Sequence, residues 1–194
     1  AIRRMTDAAS PKPASRLGGL AVYGERRVFI MLLLGFSAGL PNLLIFDTLS
    51  AWLRESGLSL EVIGFFALAT LSYSLKFVWA PLIDRTAIPG LTRLLGHRRA
   101  WMLVTQGVII AGLWAISGLN PANALVQVAV FATLVGFFGA TQDIVIDAWR
   151  IEAADDSRHG AMAAAYQMGY RVAMIVAGAV PLVLADLYNW NGSY

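Results

Sequence analysis

Apolar positions in this chain come in five long blocks, roughly 28 to 53, 62 to 83, 100 to 119, 124 to 147 and 161 to 185. They show neither the two-residue alternation of a half-buried strand nor the narrow stripe of a soluble helix, and a helix that is apolar all round belongs in a core or a membrane. Each block is near the ~20 residues that cross a ~30 Å hydrocarbon layer. The pattern therefore predicts five transmembrane helices. The connections RESGLSLE and LNPAN are short, so the helices they join run antiparallel. Ahead of the first block, residues 1–27 are polar and basic, with no apolar core bounded by a cleavage site. The chain divides into a basic tail, 1–27, and a transmembrane bundle, 28–194.

Small residues interrupt the blocks at Gly35 and Gly39, at Gly136, Gly139 and Ala140, and at Gly169, Ala173 and Ala177, where they allow close helix contact. Pro41 falls inside the first block, where the lost backbone bond can bend the helix. Tryptophans 52, 79, 101, 149 and 190 lie near predicted helix ends, as an interfacial belt would place them. The chain closes on NWNGSY, just after the fifth block. For a transporter built from repeats of three helices, five are an incomplete half, which makes the carboxyl-terminal helices of the same protein an expected partner.

Composition agrees with the pattern. Hydrophobic residues make up 58% and charged residues 14% of the chain, and the mean hydropathy is +0.63, too apolar for a soluble domain. The fold class is an all-α polytopic membrane protein in contact with the lipid bilayer. A net charge of +3 could suggest a nucleic-acid partner, but the basic residues follow the membrane instead. Twelve of the fifteen Lys and Arg lie in the tail (Arg3, Arg4, Lys12, Arg16, Arg26, Arg27), the second loop (Arg85, Arg93, Arg98, Arg99) and the fourth loop (Arg150, Arg158). The opposite side carries only Arg54. Because cytoplasmic loops are enriched in Lys and Arg, the amino terminus is expected in the cytoplasm.

With no cysteine and two histidines, a disulfide framework or a thiolate metal site is excluded. No phosphate loop, HExxH or Gx-Ser-xG arrangement suggests a hydrolase. The chain is therefore read as no enzyme, with no cofactor beyond an ion gradient.

The candidate chemistry is carried by charges inside or at the ends of the spans: Asp47, Lys76, Asp143, Asp147 and Arg171. A central charge costs ~2.5 to 3.5 kcal/mol on insertion scales, so these groups should be paired or face water. Arg171, ten residues into the fifth block, lies ~15 Å deep. It is expected either to bind an anionic substrate or couple protons, or to staple helices through a carboxylate. Gln167 lies one turn before it, with Tyr166 and Tyr170 flanking, and amide, phenol and guanidinium together suit a sugar and a carboxylate. Lys76 and Asp143 fall in the same half of the bilayer, so an ion pair between them competes with snorkelling of Lys76 to the headgroups. Asp143 and Asp147 share a helical face and can carry a proton relay. Asp147 can instead pair with Arg150 as a gate, or be solvated at a helix end.

The second block and its loop, SYSLKFVWAPLIDRTAIPGLTRLLGHRRAW, resemble the major facilitator motif between its second and third helices, with Asp84 and Arg85 followed by Gly96, Arg98 and Arg99. Pro81 replaces the glycine that usually opens that motif. LLLGFSAGLPNLLIFDTLSAWLRESGLSLEVIG, KFVWAPLIDR, GHRRAW, FFGATQDIVIDAWRIE and MGYRVAMIVAG resemble, in order, the signatures of AmpG-type muropeptide permeases, from about residue 29 to 194. The resemblance implies a proton-coupled permease of the bacterial inner membrane importing anhydromuropeptides, the sugar-peptide fragments of cell-wall turnover. It also implies a link to peptidoglycan recycling, β-lactamase induction and antibiotic resistance. Related transporters carry acetyl-CoA, which makes such an anion the alternative substrate. The resemblance carries over Lys76, Asp84, Arg85, Gln142, Asp143, Asp147 and Arg171 by motif. Depth and charge then assign Asp143 and Asp147 to proton coupling, Arg171, Gln142, Gln167 and Tyr170 to substrate contact, and Asp84, Arg85 and Arg150 to stabilising one conformational state, with Lys76 as an intramembrane charge partner. The competing expectation, from a different class, is a non-transporting scaffold or assembly subunit with a half-facilitator fold.

Overall fold

The computed structural model describes residues 22–67, 71–153 and 155–194. A short 3-10 turn at Val22–Gly24 leads into α1, Arg26–Glu55. Then follow α2 (Leu60–Ala67), α3 (Leu71–Arg85), a loop helix α4 (Leu91–Leu95), α5 (His97–Ser117), α6 (Leu125–Ala153), α7 (Asp156–Leu187) and the short α8 (Trp190–Ser193). No strand occurs among the described residues. Among the described residues four helices, α1, α5, α6 and α7, are long and apolar enough to cross a membrane. The second predicted span is represented by α2 and α3 on either side of residues 68–70, which lie outside the described residues, as does most of the basic tail. This is the all-α polytopic bundle of the sequence analysis, with five apolar blocks in a partial major facilitator-type arrangement.

The helices run past the apolar blocks at the end where α1 begins, here called the basic end. α6 continues to Ala153 and α7 starts at Asp156, so Arg150 and Arg158, expected in a loop, stand on helices. Local ion pairs at i,i+3 support these extra turns: Arg150 with Asp147 at 3.2 Å, and Arg158 with Asp155 at 3.0 Å. Hydropathy reports where hydrocarbon ends, and a helix need not end there.

The tightest contact in the bundle is between α1 and α7. A Cβ placed on Gly35 would stand 2.0 Å from the backbone oxygen of Tyr166, and one on Gly169 would stand 2.0 Å from that of Leu32. Gly39 is in the same position against Tyr170. The two backbones therefore touch, with Ala173 and Ala177 buried further along the seam. The small residues on α1 and α7 make the helix contact expected of them. Beyond Pro41, α1 passes through a π-helical turn, Leu44–Thr48, in which the Leu49 N–H reaches back to Leu44 O. Thr48 Oγ1 donates to Ala177 O at 2.9 Å, tying this turn to α7. A π-turn after a proline is a recognised source of helix bending.

The chain after α7 folds back over the far end. Trp190 stacks on Trp52 with ring centres 6.1 Å apart and donates Nε1–H to Glu55 at 2.6 Å. Asn191 bridges Ser117 O and Leu119 O, and the Tyr194 hydroxyl donates to Leu44 O at 2.6 Å. Burial pushes the Tyr194 phenol above its ordinary range. NWNGSY is thus a cap that joins α1, α5 and α7. It also corrects the belt assignment of Trp52, which is buried in a cluster with Leu49, Leu53, Ile116 and Val128, while Trp114 is the tryptophan left 78% exposed.

Because the α1–α7 seam has no room for a methyl group, Gly35→Ala or Gly169→Ala should each destabilise the full-length protein in detergent by roughly 1–3 kcal/mol. Gly107→Ala, where a Cβ meets nothing within 4 Å, should be neutral or stabilising. Thermal unfolding curves check this: equal effects at all three positions would refute the seam.

Candidate functional site

Four helices converge on a polar cluster. Asp143 stands ten residues before the end of α6, Lys76 nine before the end of α3 and Tyr166 ten after the start of α7. At ~1.5 Å per residue all three lie ~14–15 Å from the basic end. Lys76 Nζ is 3.6 Å from Asp143 Oδ2, and Tyr166 donates its hydroxyl to Asp143 Oδ1 at 2.8 Å. The two carboxylate oxygens are thus committed to different helices. Tyr170 packs on Tyr166, ring centres 6.1 Å apart. Tyr73 completes the cluster: its ring meets Phe46 of α1 edge-on, and its hydroxyl is buried beside Gly139, with Asn42 and Asp143 as polar neighbours but no hydrogen bond of normal geometry. The pair foreseen between Lys76 and Asp143 exists, and the snorkelling alternative is not adopted.

A second polar node sits on another face of α6. Gln142 Nε2 donates to Gln106 Oε1 at 2.8 Å and to Ser37 Oγ at 3.2 Å, while Ser37 donates to Gln106 at 2.6 Å. This node links α1, α5 and α6. Gln142, only 2% exposed, is therefore turned away from Arg171 and Gln167, contrary to its expected place in a substrate surface with them. The reason is helical geometry: residues 142 and 143 are ~100° apart around the axis, so they serve different neighbours.

Arg171 and Gln167 are exposed on α7, and Arg171 forms no salt bridge among the described residues. The helix-stapling alternative for Arg171 is not seen. Since α7 starts at Asp156 and not near 161, Arg171 lies ~22 Å from the basic end, about one and a half turns beyond Tyr166. It shares its face with Met168, Val172 and Ile175, all exposed.

At the basic end, Arg98 of α5 holds Asp84 of α3 at 2.5 Å and Glu152 of α6 at 2.7 Å. His97 contacts Ile83 O at 3.0 Å, and Trp101 donates to Thr86 O at 2.8 Å. Arg85, paired with Asp84 in the expected gating role, is exposed and forms no salt bridge among the described residues. Asp84 turns to Arg98 because neighbouring helical residues point apart and α5 restarts immediately beneath it. Asp147 does pair with Arg150 as foreseen, with a half-exposed carboxylate. Such pairs at an accessible surface contribute little stability each, so this network fixes geometry more than it adds energy.

Sequence reasoning missed Tyr73, Arg98, Gln106 and Glu152 as members of these clusters. Counting from true helix ends finds the level shared by Lys76, Asp143 and Tyr166. Nothing in the apolar pattern marks Tyr73, whose burial comes from the approach of α3 to α6. Among the described residues no group of three or more His, Asp and Glu is placed to hold a metal.

Gly139 leaves the space that Tyr73 fills: a Cβ there would stand 2.3 Å from the phenol oxygen and 3.3 Å from the ring carbon bearing it. Gly139→Ala should therefore cost roughly 1–3 kcal/mol by overpacking. Tyr73→Phe should recover most of that loss in the double variant while being close to neutral alone, since it deletes a buried hydroxyl without a bond. A double-mutant cycle by thermal unfolding checks this, and strict additivity would contradict the contact.

Comparison with known proteins places the chain. The family model described as Acetyl-coenzyme A transporter 1 matches residues 27–126, just over half of the chain. The anhydromuropeptide permease of Escherichia coli strain K12 is 39% identical over 176 residues, 90% of this chain and 35% of the permease. A Rickettsia felis protein named as the transporter AmpG 4 is 39% identical over 172 residues, 88% of this chain and 41% of that protein. The chain thus spans about two fifths or less of the length of these relatives, whose names are those of a permease and a transporter, not of enzymes. It is similar to AmpG-type permeases along nearly all of its length, and it belongs to the acetyl-coenzyme A transporter 1 family.

Proposed function

We propose that this chain is the amino-terminal part of a secondary transporter of the bacterial inner membrane, which imports anhydromuropeptides together with protons. The observation that carries this is the Lys76–Asp143–Tyr166 cluster, set between helices in a chain similar over 90% of its length to a protein named as an anhydromuropeptide permease. Ionisable groups inside membrane spans mark substrate and ion pathways, because only function offsets their insertion cost. In this reading Asp143 takes and releases the coupled proton, with Asp147 as its link to water at the basic end. Arg171, Gln167 and Tyr170 contact the substrate where carboxyl-terminal helices enclose the path. The Asp84–Arg98–Glu152 network and the Asp147–Arg150 pair hold one state of alternating access. The uneven distribution of Lys and Arg supports a cytoplasmic amino terminus.

A second reading concerns the substrate alone. The description of the matching family favours an acetyl-CoA-like anion. Both cargoes are anionic, so the charged cluster accommodates either.

Uptake into membrane vesicles containing the full-length protein, under an imposed proton gradient, separates these readings. Labelled anhydromuropeptide should accumulate and acetyl-CoA should not. Asp143→Asn should reduce gradient-driven uptake about 5- to 150-fold, the range of a coupling free energy of ~1–3 kcal/mol, and Arg171→Gln should weaken substrate affinity. Vesicles that accumulate neither compound would favour the non-transporting scaffold.

A further inference from the structure

Lys76 and Asp143 form an unequal pair. The carboxylate is 13% exposed and anchored by Tyr166 through one oxygen, whereas the lysine side chain is 34% exposed and its Nζ stands 3.6 Å from the other oxygen. A contact of that length is an ion pair without a hydrogen bond, so Asp143 uses none of the three N–H donors of the ammonium closely. One partner is held in place; the other is accessible and under-used. The groups facing Asp143 are Lys76 and Tyr73 from α3, Tyr166 and Tyr170 from α7, and Asp147 on its own helix, so Lys76 is its sole cationic neighbour in this set.

Resting on the transport reading above, we infer that Lys76 is the docking point for the anionic group of the substrate, and that docking on the ammonium and protonation of Asp143 occur together, in exchange for the Lys76–Asp143 pair. In the empty site the lysine ammonium neutralises the Asp143 carboxylate. When a substrate carboxylate or phosphate oxygen takes the ammonium, Asp143 loses its counter-charge and accepts at Oδ2 one proton of the gradient, delivered as hydronium and leaving water behind, while Tyr166 keeps Oδ1. Lysine stays protonated throughout. The site holds zero net charge in both states, with one proton loaded per anionic group. Proton and substrate are thereby linked at the pair itself, without a relay to Arg171.

Binding to the purified full-length protein tests this with three probes: an anhydromuropeptide carrying its peptide carboxylate, the same compound with that carboxylate amidated, and acetyl-CoA. Lys76→Gln should weaken the carboxylate probe at least about tenfold while leaving the amidated one within about twofold, and Lys76→Arg should restore most of the loss. Asp143→Asn, which mimics the protonated acid and frees the ammonium, should bind the carboxylate probe several-fold more tightly than wild type and without pH dependence. Acetyl-CoA following the same pattern in place of the carboxylate probe would assign the docked group as phosphate. Unchanged binding of both anionic probes by Lys76→Gln would overturn the inference while leaving the transport reading intact. So would equal weakening of the carboxylate and amidated probes, or Asp143→Asn binding no more tightly than wild type. If Lys76→Gln does not fold, the Asp143→Asn comparison decides. Wild-type protein that binds no probe would overturn the transport reading, and this inference with it.

Discussion

The contact on which the site depends is the touching of two backbones, α1 and α7, at Gly35 and Gly169. Gly35 lies against the carbonyl of Tyr166 itself, so the depth and rotation of that tyrosine are set by how closely the two helices approach. In lipid there is no hydrophobic force to drive helices together, and close van der Waals packing takes its place. From that seam the chain of consequence is short. Tyr166 is placed to donate to one oxygen of Asp143, the second oxygen is left for Lys76, and α3 is drawn to α6 by the same pair. The methyl groups missing from α1 and α7 thus determine the chemistry of a carboxylate on a third helix.

The polar groups within the bundle divide into two kinds. The Ser37–Gln106–Gln142 node is part-buried, made of neutral amides and a hydroxyl, and joins three helices; it acts as glue. The Lys76–Asp143 cluster is charged and lopsided, with one committed partner and one accessible one. Neutral hydrogen bonds inside a membrane add modest stability and stay made. An ion pair with an open side is instead poised to change partners, because either charge left alone in a dry site is costly. Adjacent residues on α6, Gln142 and Asp143, belong to different kinds because the helix turns each toward different neighbours.

The ends of the bundle are finished differently. The basic end is closed by ion pairs spanning α3, α5 and α6 and by the Glu25–Arg158 contact at 2.9 Å. The far end is closed by aromatic stacking of Trp190 and Tyr194 on Trp52. Ion pairs at an accessible surface are individually weak and easily rearranged, whereas a buried aromatic cluster is not. The basic end is therefore the more readily remodelled of the two.

The sequence by itself determined the class of fold, the number and placement of the apolar blocks, the small residues at the α1–α7 seam and the list of charges that must find partners in a membrane. These are legible because hydrocarbon imposes a length and a polarity on any segment crossing it, whatever the neighbours. The Lys76–Asp143 and Asp147–Arg150 pairs were also foreseeable, from depth and from i,i+3 spacing. Only the tertiary structure decided that Asp84 turns to Arg98 and not toward Arg85, that Gln142 bonds to Ser37 and Gln106 and faces away from Arg171, that Trp52 is buried under the closing segment, and that Tyr166 and Tyr73 enclose Asp143. Each of these depends on the rotation of one helix about its axis relative to another. That rotation is set by the summed contacts of whole helix faces, which the periodicity of a single segment does not encode.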